Sequence, residues 1–339
     1  MQSVLCSLDI LQTHVVEDCL RTQKQELSCI DCDCVRMPVQ LFDEKIALAA
    51  RKRLNYALRQ FPEADLIISI ENGLCTKEKA DVAAASIYVR NFGVLDGAST
   101  PIGWTDTTWD EWMEERKHNP DMTGREYINS KHHHEWELKF SRRSVESQLR
   151  SAVLPLVKQA IILRSLTLIS DYPQKGVIFQ DFHSLLHRKE ILAFVCDAMQ
   201  EKLALAGSFT HIAGVDSRGC WLGFYLAMRC NVGFIPIRKR GKLPPPVLGL
   251  AYETEYSSDY IEVQESVFDS ADMRVVVVDD IVATGGSLRA VCDLIEGRGK
   301  IVAALTLLDV PALRAAYTKK MDGTPVIVTI KPEPVIIRV

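Results

Sequence analysis

The chain has 339 residues with 40 basic and 44 acidic side chains and a formal charge of -4, a length that accommodates two domains of ordinary size. At 47% hydrophobic and 25% charged residues it is too apolar for a disordered chain, and its mild acidity excludes a general nucleic-acid surface, which needs a clustered basic face. No apolar run reaches the roughly 18 residues that a bilayer demands, and the first residues lack a basic leader, so a cytoplasmic protein with no membrane partner and reduced, scattered cysteines is expected.

The first half reads as α/β. A strand is expected near residues 4–6, helices over 14–20 and 44–60, and strands over 65–71 and 83–90. A Trp- and charge-rich region over 105–117 and a helix over 143–163 follow. Helical spacing then gives way to the turn-forming Asp171-Tyr172-Pro173, which places the join between halves within 156–170 and the two domains at 1–160 and 161–339. Beyond it, short continuous apolar runs at 211–215, 233–237, 274–278 and 301–305 alternate with helical periodicity, the signature of a parallel sheet with helices on both faces. Residues 287–296 set Leu288, Val291, Cys292 and Ile295 on one helical face, with Gly297 as the C-terminal cap.

The strongest chemical signal is Val275-Val276-Val277-Val278-Asp279-Asp280-Ile281-Val282-Ala283-Thr284-Gly285-Gly286-Ser287, a buried strand running into two acids and a glycine loop that opens a helix. Loop glycines let backbone N–H groups, joined by the Thr284 and Ser287 hydroxyls, enclose a phosphate at the positive end of a helix. Adjacent carboxylates at the C-terminal edge of a strand can accept hydrogen bonds from vicinal ribose hydroxyls, and open α/β sheets bind ligands at that edge. A strand before a capped helix accounts for these elements singly, but not for the full string. Asp216-Ser217-Arg218-Gly219 follows another strand at the same edge, and Arg238-Lys239-Arg240-Gly241-Lys242 is the one tight basic cluster in the sequence.

The full string resembles the 5-phosphoribosyl-1-pyrophosphate motif of type I phosphoribosyltransferases, and residues 171–311 resemble the adenine phosphoribosyltransferases. The resemblance implies purine salvage: the phosphoribosyl group passes to adenine, giving AMP and pyrophosphate, with Mg2+ as cofactor and a homodimer as the assembly. By resemblance Asp279 and Asp280 hold the ribose hydroxyls near the magnesium, and Ala283, Thr284, Gly285, Gly286 and Ser287 bind the 5'-phosphate. Ser217, Arg218 and Gly219 match the pyrophosphate loop, with Arg218 countering charge on the leaving group, and Arg238, Lys239 and Lys242 serve the same anion. Tyr252-Glu253-Thr254-Glu255-Tyr256 borders a mobile catalytic loop, where Glu255 is the acid or base for the purine nitrogens and Tyr256 closes the site. Around the base, Phe179 stacks, the backbones of Ile178 and Gln180 meet the edge, and Leu308 packs opposite. A 6-oxopurine would require a donor that Thr306-Leu307-Leu308-Asp309-Val310 does not supply, which favours adenine. A phosphoribosyl-fold regulator without catalysis is the alternative, and it would carry a DNA-binding partner domain of which the sequence has no sign.

Ala64-Asp65-Leu66-Ile67-Ile68-Ser69-Ile70-Glu71-Asn72-Gly73, preceded by Ala49-Ala50-Arg51-Lys52-Arg53, resembles the inosine/xanthosine triphosphatase family over residues 1–160. That resemblance implies an α/β nucleotide triphosphatase-like domain with Glu71 as a magnesium ligand at a strand end, Arg51, Arg53 and Arg142 near the nucleotide, and purine nucleoside triphosphates as further substrates. Ser7-Leu8-Asp9-Ile10-Leu11-Gln12 departs from the family's lysine-bearing phosphate loop, and Asp9 puts a like charge where triphosphate would sit. A degenerate site is therefore expected, with a bifunctional enzyme as the alternative. Cys29, Cys32, Cys34 and His132-His133-His134 have zinc-type ligands without the paired spacing of a structural site, so no zinc is expected.

Overall fold

The computed structural model describes residues 3–7, 28–31, 41–99, 101–104, 106–120, 122–131, 142–172, 175–253, 258–270 and 272–332. The chain divides into two compact units, the first running to Arg164 and the second spanning Ser165–Lys331.

In the first unit a parallel start gives way to antiparallel meanders. Strand β1 (Ser3–Ser7) pairs in parallel with β2 (Ser28–Asp31) and with β3 (Leu66–Cys75). Strands β4 (Ala80–Val89), β5 (Gly93–Ala98) and β6 (Ile102–Gly103) complete the sheet antiparallel. Helix α1 (Glu44–Gln60) has its expected bounds and buries Ile46, Ala49, Ala50, Leu54, Ala57 and Leu58, an apolar stripe at helical spacing laid against β3 and β4. The Trp-rich region forms helix α2 (Asp106–His118), because Trp112 is fully buried in an aromatic cluster with Trp104, Trp109 and Phe42 at ring separations of 5.3, 5.4 and 5.9 Å. Helices α3 (Gly124–Lys131) and α4 (Arg142–Ser165) follow. The helix expected at 14–20 lies outside the described residues.

One strand is longer than the sequence suggests. Asn72-Gly73 reads as a turn, yet β3 stays paired to β4 as far as Cys75, which puts Glu71 opposite Ala84 in mid-strand instead of at a strand end. Gly73 pairs with Val82 in the strand, and its lack of a side chain leaves room for Ile46 and the Leu41 carbonyl. A Cβ there would lie 2.5 Å from Ile46 Cγ1.

The second unit begins with a two-stranded antiparallel hood, β7 (Thr167–Ser170) and β8 (Ile178–Asp181). Helices α5 (His183–Leu186) and α6 (Lys189–Leu203) lead into the main sheet. Its strands are β9 (His211–Val215), β10 (Gly233–Lys239), β11 (Val247–Glu253), β12 (Ser258–Gln264), β13 (Arg274–Val282), β14 (Lys300–Asp309) and β15 (Val326–Ile330), in the order β11-β12-β10-β9-β13-β14-β15. Helices α7 (Arg218–Cys230), α8 (Gly286–Ile295) and α9 (Arg314–Lys320) complete it. The sheet is parallel from β10 to β15, but β12 runs antiparallel to β10 and to β11. The expected parallel sheet is thus mixed at one edge, where β12 runs antiparallel to both of its neighbours.

Val275 to Val278 are all 0% exposed, so both faces of β13 are covered, as continuous apolar strands require. Leu288, Val291, Cys292 and Ile295 of α8 are buried with Val275 and Val277, and Gly297 follows the helix at φ 79°, a left-handed conformation that glycine takes at low cost. Strands β9 and β13 lie side by side with Gly214 opposite Val278, which carries residues 216–219 and 279–287 to the same sheet edge. Among the described residues no helix is long and apolar enough to cross a membrane.

Candidate active site

At that edge the second unit has a cleft of about 630 Å³. Asp216, Ser217 and Arg218 line it beside Asp279, Asp280, Ala283, Gly285, Gly286 and Ser287, with Ile178, Phe179 and Gln180 coming from the hood. The motifs separated along the sequence therefore meet at the place where parallel sheets bind ligands.

Two glycines set the 216–219 loop. A Cβ on Gly214 would lie 2.7 Å from the Gly219 carbonyl, and one on Gly219 would lie 2.4 Å from the Val278 carbonyl, so the loop rests directly on the central strand. The Asp216–Ser217 peptide is cis. Arg218 opens α7, its Nε is 3.1 Å from Asp280 Oδ2, and its guanidinium carbon lies 5.8 Å from the centre of the Phe179 ring. One cation thus touches both an acid and an aromatic face.

The sequence places the two acids after the strand, whereas β13 continues through them to Val282. The Asp280 N–H donates to Asp279 Oδ1 at 2.9 Å. Burial pushes Asp279 well above the usual carboxylate range and the Asp280 charge adds to this, while burial also raises Asp280 against the downward pull of Arg218. One arginine does not neutralise two adjacent carboxylates, Asp280 buried and Asp279 half-buried, so hydroxyl donors or a divalent cation suit the pair. Among the described residues no group of three or more His, Cys, Asp or Glu side chains gathers around one point, so a cation here would complete its shell with substrate oxygens and water, as magnesium does.

Gly285, at φ 81°, turns the chain into α8 with Tyr317 packed against it; a Cβ there would lie 3.0 Å from Tyr317 Cβ. Tyr317 is fixed in turn, because its hydroxyl donates to Asp309 Oδ2 at 3.1 Å and Arg314 Nε donates to the same oxygen at 2.5 Å. Neither Asp309 nor Tyr317 stands out in the sequence. Their juxtaposition comes from α9 folding back over the end of β14.

The basic cluster is divided between tasks. Asp216 Oδ2 accepts from Arg238 Nε at 2.9 Å and from the Lys239 N–H at 3.1 Å; burial alone would raise Asp216, but Arg238 and Lys239 together outweigh it and hold the carboxyl low. Buried Glu262 accepts the N–H groups of Lys242 and Leu243 at 2.7 and 2.9 Å. Burial would raise Glu262 as well, and the backbone donors of Gly241, Leu243 and Lys242 more than offset it. Lys239 lines the cleft, while Arg238, Lys242, Gly219 and Thr284 are not among its lining residues. Leu308 is buried in β14 opposite Ile281 and is not among the lining residues, whereas Val310 beyond the strand end is. Glu255 and Tyr256 lie outside the described residues.

In the first unit Glu71 meets Arg53 with Nε 2.5 Å from Oε1, both side chains being buried. Burial raises the Glu71 pKa and Arg53 pulls it back. Arg51 does not join them: its Nε donates to Asp96 Oδ1 and Oδ2 at 3.0 and 2.9 Å, and Asp96 also accepts from Ser86 Oγ at 2.6 Å. Arg142 falls within α4 and Cys29 within β2, with their side chains outside the described residues, as are Cys32, Cys34 and residues 132–134.

The phosphoribosyl transferase domain family matches residues 183–334. An adenine phosphoribosyltransferase of Methylobacterium nodulans is 38% identical over 159 residues, 47% of this chain and 87% of that protein. One from Streptomyces coelicolor is 41% identical over 148 residues, 44% of this chain and 80% of that protein. The solved adenine phosphoribosyltransferase of Saccharomyces cerevisiae, complexed with adenine and an imino-altritol bisphosphate, is 30% identical and covers 51% of this chain and 98% of its own at a TM-score of 0.47. Through its second unit the chain belongs to the phosphoribosyltransferase family, alongside the adenine phosphoribosyltransferases.

Proposed function

We propose that the second unit joins adenine to 5-phosphoribosyl-1-pyrophosphate: a bond forms between ribose C1 and the purine N9 as the bond from C1 to the pyrophosphate oxygen breaks, releasing pyrophosphate and AMP. The observation that carries this is that the paired acids, the glycine loop, Arg218 and Phe179 converge on one cleft, together with the activity for which the relatives are named. Asp279 and Asp280 accept the ribose hydroxyls, which satisfy carboxylates that burial disfavours. Ala283, Thr284, Gly285, Gly286 and Ser287 enclose the 5'-phosphate at the start of α8. Ser217 and Gly219 shape the turn that presents Arg218 to the leaving pyrophosphate, where its charge counts most as the C1–oxygen bond lengthens. Lys239 reaches the same anion, and Arg238 and Lys242 hold the basic turn around it. Mg2+, when bound beside Asp279 and Asp280, spreads the charge of the pyrophosphate oxygens.

Phe179 stacks on the base, the backbones of Ile178 and Gln180 read its edge, and Glu255 handles the purine proton while Tyr256 closes the loop. Residues 306–310 offer no lysine to a 6-oxo group, so adenine is preferred. Magnesium-dependent AMP formation from adenine and 5-phosphoribosyl-1-pyrophosphate is the expected result. Equal rates with hypoxanthine would overturn the base assignment, and absence of product with any purine would overturn the reaction.

Helix α7 presents Trp221, Phe224, Tyr225 and Met228 at helical spacing, 36% to 69% exposed, an apolar stripe that supports a homodimer formed by a second copy of this chain. Sedimentation equilibrium that shows only monomer at micromolar concentration would rule this out.

For the first unit we infer a triphosphatase-like domain whose site has degenerated. The support is that Arg53 pairs with Glu71 and Arg51 with Asp96, so these three candidate side chains are engaged within the protein. The full chain should release little or no phosphate from ITP or XTP with magnesium or manganese. Strong release that disappears in Glu71→Ala would show a two-activity enzyme instead.

A further inference from the structure

Lys239 ends β10, and its ammonium pairs with the carboxylate of Asp259 on β12, both side chains lining the cleft. The hairpin register brings this about, since β12 crosses β10 at Lys239 and Ile261 and sets Asp259 opposite Tyr252 on β11. The Tyr252 hydroxyl reaches the same Asp259 oxygen, Oδ2, at 3.5 Å and accepts from Ser287 Oγ at 3.4 Å, and the Lys239 ammonium lies 5.9 Å from the Tyr252 ring centre. Asp259 Oδ1 is occupied separately by its neighbour's N–H, from Tyr260 at 2.9 Å. A chain of side chains therefore runs from the basic strand through Asp259 and Tyr252 to the glycine loop.

Asp259 differs from the other carboxylates that meet the basic groups. Glu262 and Asp216 hold backbone N–H groups of the basic turn itself and so fix its course, whereas the one backbone N–H that Asp259 accepts belongs to its own neighbour Tyr260. Asp259 instead holds the free end of a lysine inside the cleft wall, at 29% side-chain exposure against 40% for Lys239. An anion approaching that ammonium must share it with a fixed negative charge or displace it, and a like charge beside a bound anion raises its free energy. Tyr252 supplies the carboxylate with a second donor, so Asp259 is not left without a partner when Lys239 turns to the anion.

We propose that Asp259 is a positioning residue that sets the affinity of the cleft for the pyrophosphate group by competing for Lys239, and thereby speeds release of the pyrophosphate product. This rests on the reading above that Lys239 contacts pyrophosphate. The direction of the effect is its signature. A residue that merely supports the fold weakens binding when it is changed, whereas removal of a competitor strengthens it.

The test uses the full chain and inorganic pyrophosphate without added metal, measured by titration calorimetry, with steady-state kinetics in 5-phosphoribosyl-1-pyrophosphate alongside. Asp259→Asn should bind pyrophosphate about two- to fivefold more tightly at low salt, the range expected of a partly exposed charge pair, and the gain should shrink as salt screens it. KM for 5-phosphoribosyl-1-pyrophosphate and kcat should fall together. Asp259→Ser, which removes the charge with a different side chain, should shift affinity in the same direction. Unchanged or weaker pyrophosphate binding in Asp259→Asn, or opposite signs in the two variants, overturns the competition. Lys239→Ala separates the two layers of the argument: weakened pyrophosphate binding in this variant upholds the Lys239 contact whatever Asp259 does, and unchanged binding overturns both.

Discussion

Arg218→Ala should reduce turnover by about 10²- to 10³-fold, the usual loss when one preorganised group that stabilises transition-state charge is removed. Its effect on stability follows from the ion pair with Asp280, which is 4% exposed as a residue. From sequence alone Arg218 would be a ligand contact whose loss leaves the thermal midpoint unchanged. The pair predicts otherwise, because its loss leaves a buried carboxylate without its cation, at a cost of about 1–3 kcal/mol. The pH dependence has a definite sign. Burial raises the Asp280 pKa in the folded state and Arg218 lowers it, so the variant raises it further. A carboxyl whose folded pKa lies above its unfolded value binds more protons when folded, so stability is greatest below the unfolded pKa and is lost as pH rises through the folded one. The variant's deficit in thermal midpoint should thus widen from pH 4 toward neutrality. A deficit that narrows over this range, or turnover near the wild-type level, would remove Arg218 from the roles given to it.

Gly219→Ala should be the most damaging conservative change in the second unit. The added methyl would lie 2.4 Å from the Val278 carbonyl and 3.0 Å from the Asp279 Cα. Both belong to the backbone of the central strand, which is held by β9 on one side and β14 on the other, so the loop must move instead. Overpacking of this kind costs about 1–3 kcal/mol, occasionally more, and a displacement of about 1 Å in a group that positions substrate can cost about a hundredfold in rate. Gly103→Ala is the control, since a Cβ there meets nothing within 4 Å, and it should change neither quantity. Turnover in Gly219→Ala close to wild type would show that the contact with Val278 does not set the loop.

Local patterns foretell much of this fold because they report burial directly. Helix α1 and strand β9 have their expected bounds, since the apolar stripe of one and the continuous run of the other end where burial ends. Where a tertiary contact decides, the pattern misleads. Asn72-Gly73 looks like a turn, but pairing with β4 carries the strand past Glu71 to Cys75, and Gly73 leaves room there for Ile46 and the Leu41 carbonyl. Residues 247–264 carry a recognisable motif but no local mark of the antiparallel hairpin, which depends on pairing with β10. Within the cleft, residues belonging to contiguous motifs could be named from the sequence. Asp259 and Val310 could not, because strand pairing and the end of β14 bring them there.

The two carboxylates that grip the basic turn also govern its fate before a protease. Arg240 and Lys242 are exposed, the side chains that trypsin-like enzymes choose. Cleavage requires several residues of backbone to leave their hydrogen bonds and extend into the enzyme, which happens through local opening. With Asp216 holding the Lys239 N–H and Glu262 holding those of Lys242 and Leu243, that opening must break the β10–β12 edge itself. The run 238–242 is thus guarded by its backbone, although the Arg240 and Lys242 side chains are open to solvent, and nicking there times the unfastening of this sheet edge.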